Sequence, residues 1–197
     1  MEWSAGFIMK RRSGAQSEVG VIHGRFQPLH LGHMEYLLEG KKRCKFLYIG
    51  ITNPDPSLTK PVDVNPHRSE ESANPFTYYE RQAMLVEAML EVGVKRWEFE
   101  IVPFPINVPG LLRYYTPTDA TYYVTIYDEW GDYKLDVLNS LGLKTEVMWR
   151  RSPSQRLTSG AEVRELMRKN GNWESLVPPA VAKVIRERGL EQRVKQK

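Results

Sequence analysis

The chain has 197 residues, of which 41% are hydrophobic and 26% charged, a composition typical of a folded globular protein and not of a disordered one. The formal net charge of +4 suits a site for phosphorylated ligands and does not by itself indicate nucleic acid. A single cysteine, Cys44, excludes an internal disulfide and a cysteine-based zinc site, so we expect a cytoplasmic protein. No apolar run approaches the ~20 residues of a membrane span.

Strands that alternate with helices predict a parallel sheet covered on both faces. Residues 1–18 are expected to form a flexible extension, and residues 19–197 a single domain. The predicted strands are 18–23, 45–51, 97–104, 121–127 and 145–149. The predicted helices are 30–42, 77–93, 132–141 and 159–169, with another from Pro178. This order indicates an α/β, Rossmann-like, doubly wound sheet of about five strands, with a small helical C-terminal part from about residue 159.

A long polar segment over 52–72 interrupts this pattern. It contains four prolines and exceeds the length that a compact domain normally tolerates without a functional reason. A solvated surface loop is the simplest interpretation. Lys60, His67 and Arg68 are the cations in it that could reach into a site.

The turn from the first strand into the first helix carries the residues best suited to chemistry. The carboxyl edge of a parallel sheet is where such folds bind nucleotides, and a helix N-terminus attracts phosphate. His30 and His33 are three residues apart and share one face of the first helical turn. Gly32 has no side chain to block a ligand. The spacing favours a pyrophosphate clamp over a metal pair, which on a helix more often uses i and i+4.

A second phosphate-binding candidate lies near the C-terminus. Ser159 and Glu162 have the spacing of a capping box, which would begin a helix. A helix N-terminus that caps itself can still direct N–H groups at a phosphate. The sequence has no GxxxxGK[ST] loop, which agrees with phosphates held by histidines and helix termini.

These segments resemble a known family. Residues 24–33, GRFQPLHLGH, are similar to the GRFQPxHxGH signature of archaeal-type nicotinamide-mononucleotide adenylyltransferases, members of the HxGH nucleotidyltransferase superfamily. Residues 74–81 resemble that family's NPFTxxER helix start, and residues 159–164 its SGTEIR segment. Residues 172–178 match the tail that follows. The resemblance covers about Val21 to Gly189.

The resemblance implies a role for individual residues. The catalytic residues that it implies are His30, His33, Arg25 and Arg164. The nucleotide-binding residues that it implies are Gly24, Phe26, Gly32, Ser159 and Gly160. In this family the acceptor attacks the α-phosphorus directly, and Mg²⁺ arrives with the triphosphate, so no protein side chain is expected to ligate metal. A homo-oligomer is expected by analogy with such relatives.

The acceptor side departs from the family. The family's tryptophan after the third strand is missing, and its TGN-type segment is replaced by residues 125–132. Ala161 stands where the family has threonine. The acceptor-binding candidates are Asn107, Tyr114, Trp130, Thr77 and Arg81. Trp130 or Tyr114 could replace the residue that stacks on nicotinamide.

The sequence is compatible with three functions. The first is transfer of AMP from ATP to nicotinamide mononucleotide or a similar phosphorylated small molecule, a step of NAD biosynthesis. The second is a cytidylyltransferase that uses CTP to form a CDP- or CMP-linked metabolite from a phosphate or phosphonate. The third is a non-catalytic nucleotide-binding regulator, which the retention of both histidines argues against. Neither nucleic acid nor a membrane is an expected partner.

Overall fold

The computed structural model describes residues 16–59 and 70–196. Within these residues the strands are β1 (Ser17–Gly24), β2 (Cys44–Ile51), β3 (Phe99–Pro103), β4 (Thr121–Ile126) and β5 (Lys144–Arg150). The helices there are α1 (Leu31–Arg43), α2 (Tyr78–Glu91), α3 (Glu129–Ser140), α4 (Gly160–Arg168), α5 (Pro179–Glu187) and α6 (Leu190–Lys195). None of the described helices is long and apolar enough to cross a bilayer.

The strands form one parallel sheet in the order β3-β2-β1-β4-β5. This confirms the predicted α/β, Rossmann-like fold. Strand β1 is central, and its Val21 and Ile22 are fully buried on opposite faces, as expected for a strand covered on both sides. The strand order reverses direction between β1 and β4, and the crevice beside such a switch point is the usual ligand site.

The two faces of the sheet carry different helices. On one face a large apolar core joins Leu37 of α1 and Met84 of α2 with Val163 of α4. On the other face a smaller core joins Val21 and Phe104 with Leu138 of α3. Helix α3 therefore packs on the face opposite to α1 and α4, and the crevice at the sheet edge receives residues from both sides.

Several element boundaries differ from the predictions for local reasons. Strand β1 begins at Ser17, so residues 17 and 18 belong to the sheet. Helix α3 begins at Glu129 and not at residue 132, because the Asp128 side chain accepts a hydrogen bond from the Gly131 N–H and caps the helix. The last predicted helix is divided at Gly189, whose φ of 62° is left-handed, into α5 and α6. Residues 1–15 and the candidate cations Lys60, His67 and Arg68 lie outside the described residues.

Close packing at the end of β2 supports the crevice. A Cβ added to Gly50 would lie 2.7 Å from both Cβ and Cγ of Phe104, well inside van der Waals contact. Phe104 is fully buried and cannot move aside without disturbing its core.

We predict that Gly50→Ala lowers the free energy of unfolding by about 1–3 kcal/mol, the usual cost of overpacking. Gly110→Ala is the matched control, because a Cβ there would meet nothing within 4 Å. Urea unfolding of the two variants measures the difference. Equal stabilities would contradict the close contact at Gly50.

Candidate functional site

Three helices direct their N-termini into one cleft. The N-cap residues His30 of α1, Asp128 of α3 and Ser159 of α4 all line this cleft. Its volume is about 370 Å³, within the usual range for a small-molecule site. Unpaired N–H groups and the positive ends of three helix dipoles favour a ligand that carries several negative charges.

His30 is fixed in one tautomer. Its Nδ1 accepts a hydrogen bond from the His33 N–H at 3.4 Å, so Nε2 carries the proton of the neutral ring. Burial, and then the charges of Arg156 and Arg164, lower the pKa of His30 to about 3. The ring can therefore donate through Nε2 without becoming a cation at neutral pH.

His33 is held by two rings. Its imidazole stacks on that of His30, with ring centroids 3.7 Å apart. It also makes an edge-to-face contact with the Phe26 ring, with centroids 4.8 Å apart. Phe26 has a left-handed φ of 51° and a fully buried side chain. A Cβ on Gly24 would lie 2.8 Å from that ring, so the glycine is required by Phe26 packing. Gly24 and Phe26 thus position His33 at the cleft.

The signature loop contacts the start of α4 directly. A Cβ on Gly160 would lie 2.7 Å from the Gln27 carbonyl oxygen, a backbone atom that cannot easily move. Gly32 faces the Thr158 carbonyl oxygen in the same way, at 3.3 Å. The two predicted phosphate-binding segments are therefore adjacent, and Ser159, Gly160 and Gly32 all line the cleft.

Arg164 lies behind this loop. Its Nη1 donates to the Gln27 carbonyl oxygen at 2.5 Å, and it is not among the residues that line the cleft. Burial, and then the neighbouring Arg168, lower its pKa to about 10, which still leaves it charged at neutral pH. It contributes positive potential at His30, whereas Arg25 lies on the cleft surface.

The acceptor candidates divide into two groups. Asn107 and Trp130 line the cleft. Trp130 is only 8% exposed and stacks on Tyr133 at 5.2 Å. Tyr114 does not line the cleft; it is 67% exposed, and Arg113 covers its ring. The structure therefore does not bring Tyr114 to the place of a stacking residue.

Thr77 and Arg81 support the cleft from outside its lining. Thr77 caps α2 in a reciprocal box with Glu80. The buried Arg81 guanidinium donates to main-chain carbonyl oxygens of four residues, namely Arg25, Thr52, Asn53 and Thr77. Both residues therefore position the loops and do not face a ligand in this structure.

Among the residues that line the cleft and that the sequence interpretation missed, Arg156, Lys134 and His23 carry basic side chains. Arg156 pairs with Asp128 at 2.6 Å and lies over the Tyr127 ring. Lys134 reaches the cleft from α3, and His23 from β1. A polar residue at the end of an otherwise apolar strand was the available signal for His23. Lys134 gave none, because a lysine on an amphipathic helix is ordinarily solvated.

The described residues contain no group of three or more His, Cys, Asp or Glu side chains that could hold a metal ion.

A parallel sheet with histidines and helix N-termini at its switch point defines a nucleotidyltransferase of the HxGH superfamily. The family model described as Cytidylyltransferase-like matches residues 21–165. The chain belongs to this cytidylyltransferase-like family.

Two curated relatives and one solved structure illustrate the range of similar proteins. The chain is 52% identical to a phosphonoformate cytidylyltransferase of Streptomyces viridochromogenes, over 89% of this chain and 95% of that protein. It is 32% identical to a nicotinamide-nucleotide adenylyltransferase of Methanothrix thermoacetophila, over 87% of this chain and 92% of that protein. A bifunctional NMN adenylyltransferase/ADP ribose pyrophosphatase of Francisella tularensis shares the fold, with a TM-score of 0.64 at 13% identity, over 92% of this chain and 52% of that one.

The depressed pKa of His30 predicts a pH dependence of stability. The folded chain keeps His30 neutral down to about pH 3, whereas the unfolded chain takes up a proton near pH 6.5. The unfolded state therefore binds more protons between these values, and stability falls as the pH is lowered. For one histidine the loss from pH 7 to pH 5 is about 2 kcal/mol.

We predict that His30→Asn, which keeps an N-capping side chain, reduces this pH-dependent loss by about 2 kcal/mol. Urea unfolding at pH 7 and pH 5 measures it. Between pH 7 and pH 9 the two proteins should show the same pH dependence, because the histidine is neutral in both states. If the unfolding free energies of the two proteins fell in parallel from pH 7 to pH 5, the pKa of His30 would not be depressed and the prediction would be wrong.

Proposed function

We propose that this protein is a cytidylyltransferase that moves CMP from CTP to phosphonoformate, or to a similarly small phosphonate that carries a carboxylate. The observation that carries the proposal is the 52% identity to the Streptomyces viridochromogenes phosphonoformate cytidylyltransferase over 95% of its length. The identity to the nicotinamide-nucleotide adenylyltransferase of Methanothrix is 32%. These identities support CTP and a phosphonate better than the ATP and nicotinamide mononucleotide that we expected first.

The acceptor side of the cleft supports a small anionic substrate. Trp130 is nearly covered and Tyr114 is not among the residues that line the cleft, so neither offers an exposed ring for nicotinamide inside the cleft. Phe104 is covered by the parallel ring of His23, 4.6 Å away. Asn53, Asn107 and Lys134 add polar groups to the lining of the cleft. A volume near 370 Å³ lies at the lower end for ligand sites, which favours a compact acceptor.

The transfer needs no covalent enzyme intermediate. A phosphonate oxygen of the acceptor attacks the α-phosphorus of CTP in line with the bond to the β-phosphate oxygen. The new P–O bond forms as that bond breaks, and pyrophosphate leaves with the electron pair. Catalysis then consists of positioning and of stabilising charge on the phosphoryl oxygens.

The chain supplies both requirements. The N-termini of α1 and α4, with the donor Nε2–H of His30, would hold the triphosphate, and His33 would donate to it beside them. Arg25 on the cleft surface and Arg164 behind the loop would balance the charge of the departing pyrophosphate. Mg²⁺ bound to the phosphate oxygens would neutralise further charge when the nucleotide enters.

We predict pyrophosphate release with CTP and phosphonoformate, and much slower release with ATP and nicotinamide mononucleotide. A coupled pyrophosphate assay that crosses both nucleotides with both acceptors, in the presence of Mg²⁺, measures this. Omission of each acceptor controls for nucleotide hydrolysis. Release with ATP and nicotinamide mononucleotide alone would restore the adenylyltransferase interpretation, and release with no pair would refute the proposed reaction.

We predict that His33→Ala lowers kcat by about 10²–10³-fold, the usual effect of removing one donor to a developing charge. His33→Gln is the matched variant, because its amide can still donate and should retain part of the rate. Steady-state kinetics with CTP and phosphonoformate compare the two. Full activity of His33→Ala would remove this residue from the phosphate site.

A further inference from the structure

His23 is a buried polar residue whose ring nitrogens have no partner in the described chain. It is the penultimate residue of β1 and only 2% exposed, yet it lines the cleft. Neither Nδ1 nor Nε2 makes a hydrogen bond to any described residue. Buried side-chain nitrogens are normally bonded, because leaving them unpaired is costly. A ligand in the cleft is the natural partner for one of them.

The ring is held rigidly for such a contact. It lies parallel to Phe104 with an interplanar angle of 7°. Phe104 in turn packs tightly against Gly50. A donor that is already oriented loses little conformational entropy when it binds a ligand.

His23 belongs to a different part of the cleft from the triphosphate groups. Successive residues of a strand point to opposite faces, so His23 shares the face of Val21, on which α3 packs. His30 and Ser159 come from α1 and α4, on the other face. His23 therefore enters the cleft from the face opposite to the groups that we assign to the triphosphate, as Lys134 of α3 does.

The local charge suits a compact anion. Burial, and then the charge of Lys134, lower the pKa of His23 well below its ordinary value. The neutral ring still has one N–H donor, while Lys134 provides a nearby positive charge. One directional donor beside a cation matches a carboxylate better than an apolar group or a second cation.

We propose that His23 is a specificity-determining residue that donates a hydrogen bond to the carboxylate of the acceptor. It thereby selects phosphonates that carry a carboxylate next to phosphorus. This inference rests on the proposed function, because it assumes that the acceptor is a phosphonocarboxylate.

The test compares two acceptors and one conservative variant. His23→Phe keeps an aromatic ring against Phe104 and removes both nitrogens. Phosphonoformate and methylphosphonate differ in the carboxylate. Titration calorimetry measures the affinity of the wild type and the variant for each phosphonate. We expect His23→Phe to bind phosphonoformate at least about tenfold more weakly, the effect of losing a hydrogen bond to a charged group, with methylphosphonate affinity unchanged.

Two controls separate recognition from folding. Thermal unfolding of His23→Phe should be no worse than that of the wild type, because no buried polar nitrogen is left unpaired. In wild-type protein with ¹⁵N-labelled histidine, the imidazole signals absent from His23→Phe identify His23. These signals should shift on addition of phosphonoformate and stay in place with methylphosphonate. If the variant fails to fold, through-bond experiments that link each imidazole to its own backbone amide assign the His23 signals in the wild-type protein, and the same shifts decide the matter.

The outcomes distinguish this inference from the proposed reaction. Equal affinities of wild type and variant for phosphonoformate, or unmoved His23 signals in its presence, would overturn the role of His23. Pyrophosphate release by wild type with phosphonoformate would still stand in that case. Conversely, shifted His23 signals without pyrophosphate release would keep the anion contact and refute the transfer reaction.

Discussion

The cleft depends on a buried arginine that binds main-chain oxygens. Arg81 is 2% exposed, and its guanidinium joins the carbonyls of Arg25, Thr52 and Asn53 to the start of α2. Burial lowers its pKa to about 10, so the group keeps its charge and all of its donors at neutral pH. Loops at the carboxyl edge of a sheet have no strand partners, and this side chain supplies the hydrogen bonds that they would otherwise lack.

A second brace acts on the same loop. The Gln27 side-chain amide donates to the Phe76 carbonyl oxygen at 2.8 Å and accepts from the Phe76 N–H at 2.9 Å. The Gln27 carbonyl oxygen in turn accepts a hydrogen bond from the Arg164 guanidinium. Segments distant in sequence thus hold one loop in place. Residues 74–81, which resemble the family's NPFTxxER segment, act by supporting this loop and do not line the cleft.

The sequence predicted the parallel sheet well, because apolar strand runs that alternate with capped helices are local signals. It also predicted that His30 and Ser159 lie at helix starts, where the structure places both as N-caps beside one cleft. The acceptor half was harder to predict. Tyr114 was a candidate because it is an aromatic residue in the segment after β3. The structure shows that its side chain is exposed and does not line the cleft. Lys134 and His23 reach one cleft because α3 packs on the face of the sheet that carries Val21, and no local spacing in the sequence records this.

The placement of α3 on its own face of the sheet has an evolutionary consequence. The groups suited to the triphosphate come from α1 and α4, whereas His23, Phe104 and Lys134 belong to the opposite face. Substitutions on the α3 face can therefore change the shape and charge of one subsite while the phosphate-binding turns stay in register. Such a division allows one scaffold to acquire new acceptors by local repacking. The acceptors in the names of two relatives, phosphonoformate and a nicotinamide nucleotide, differ as a divided site of this kind would allow.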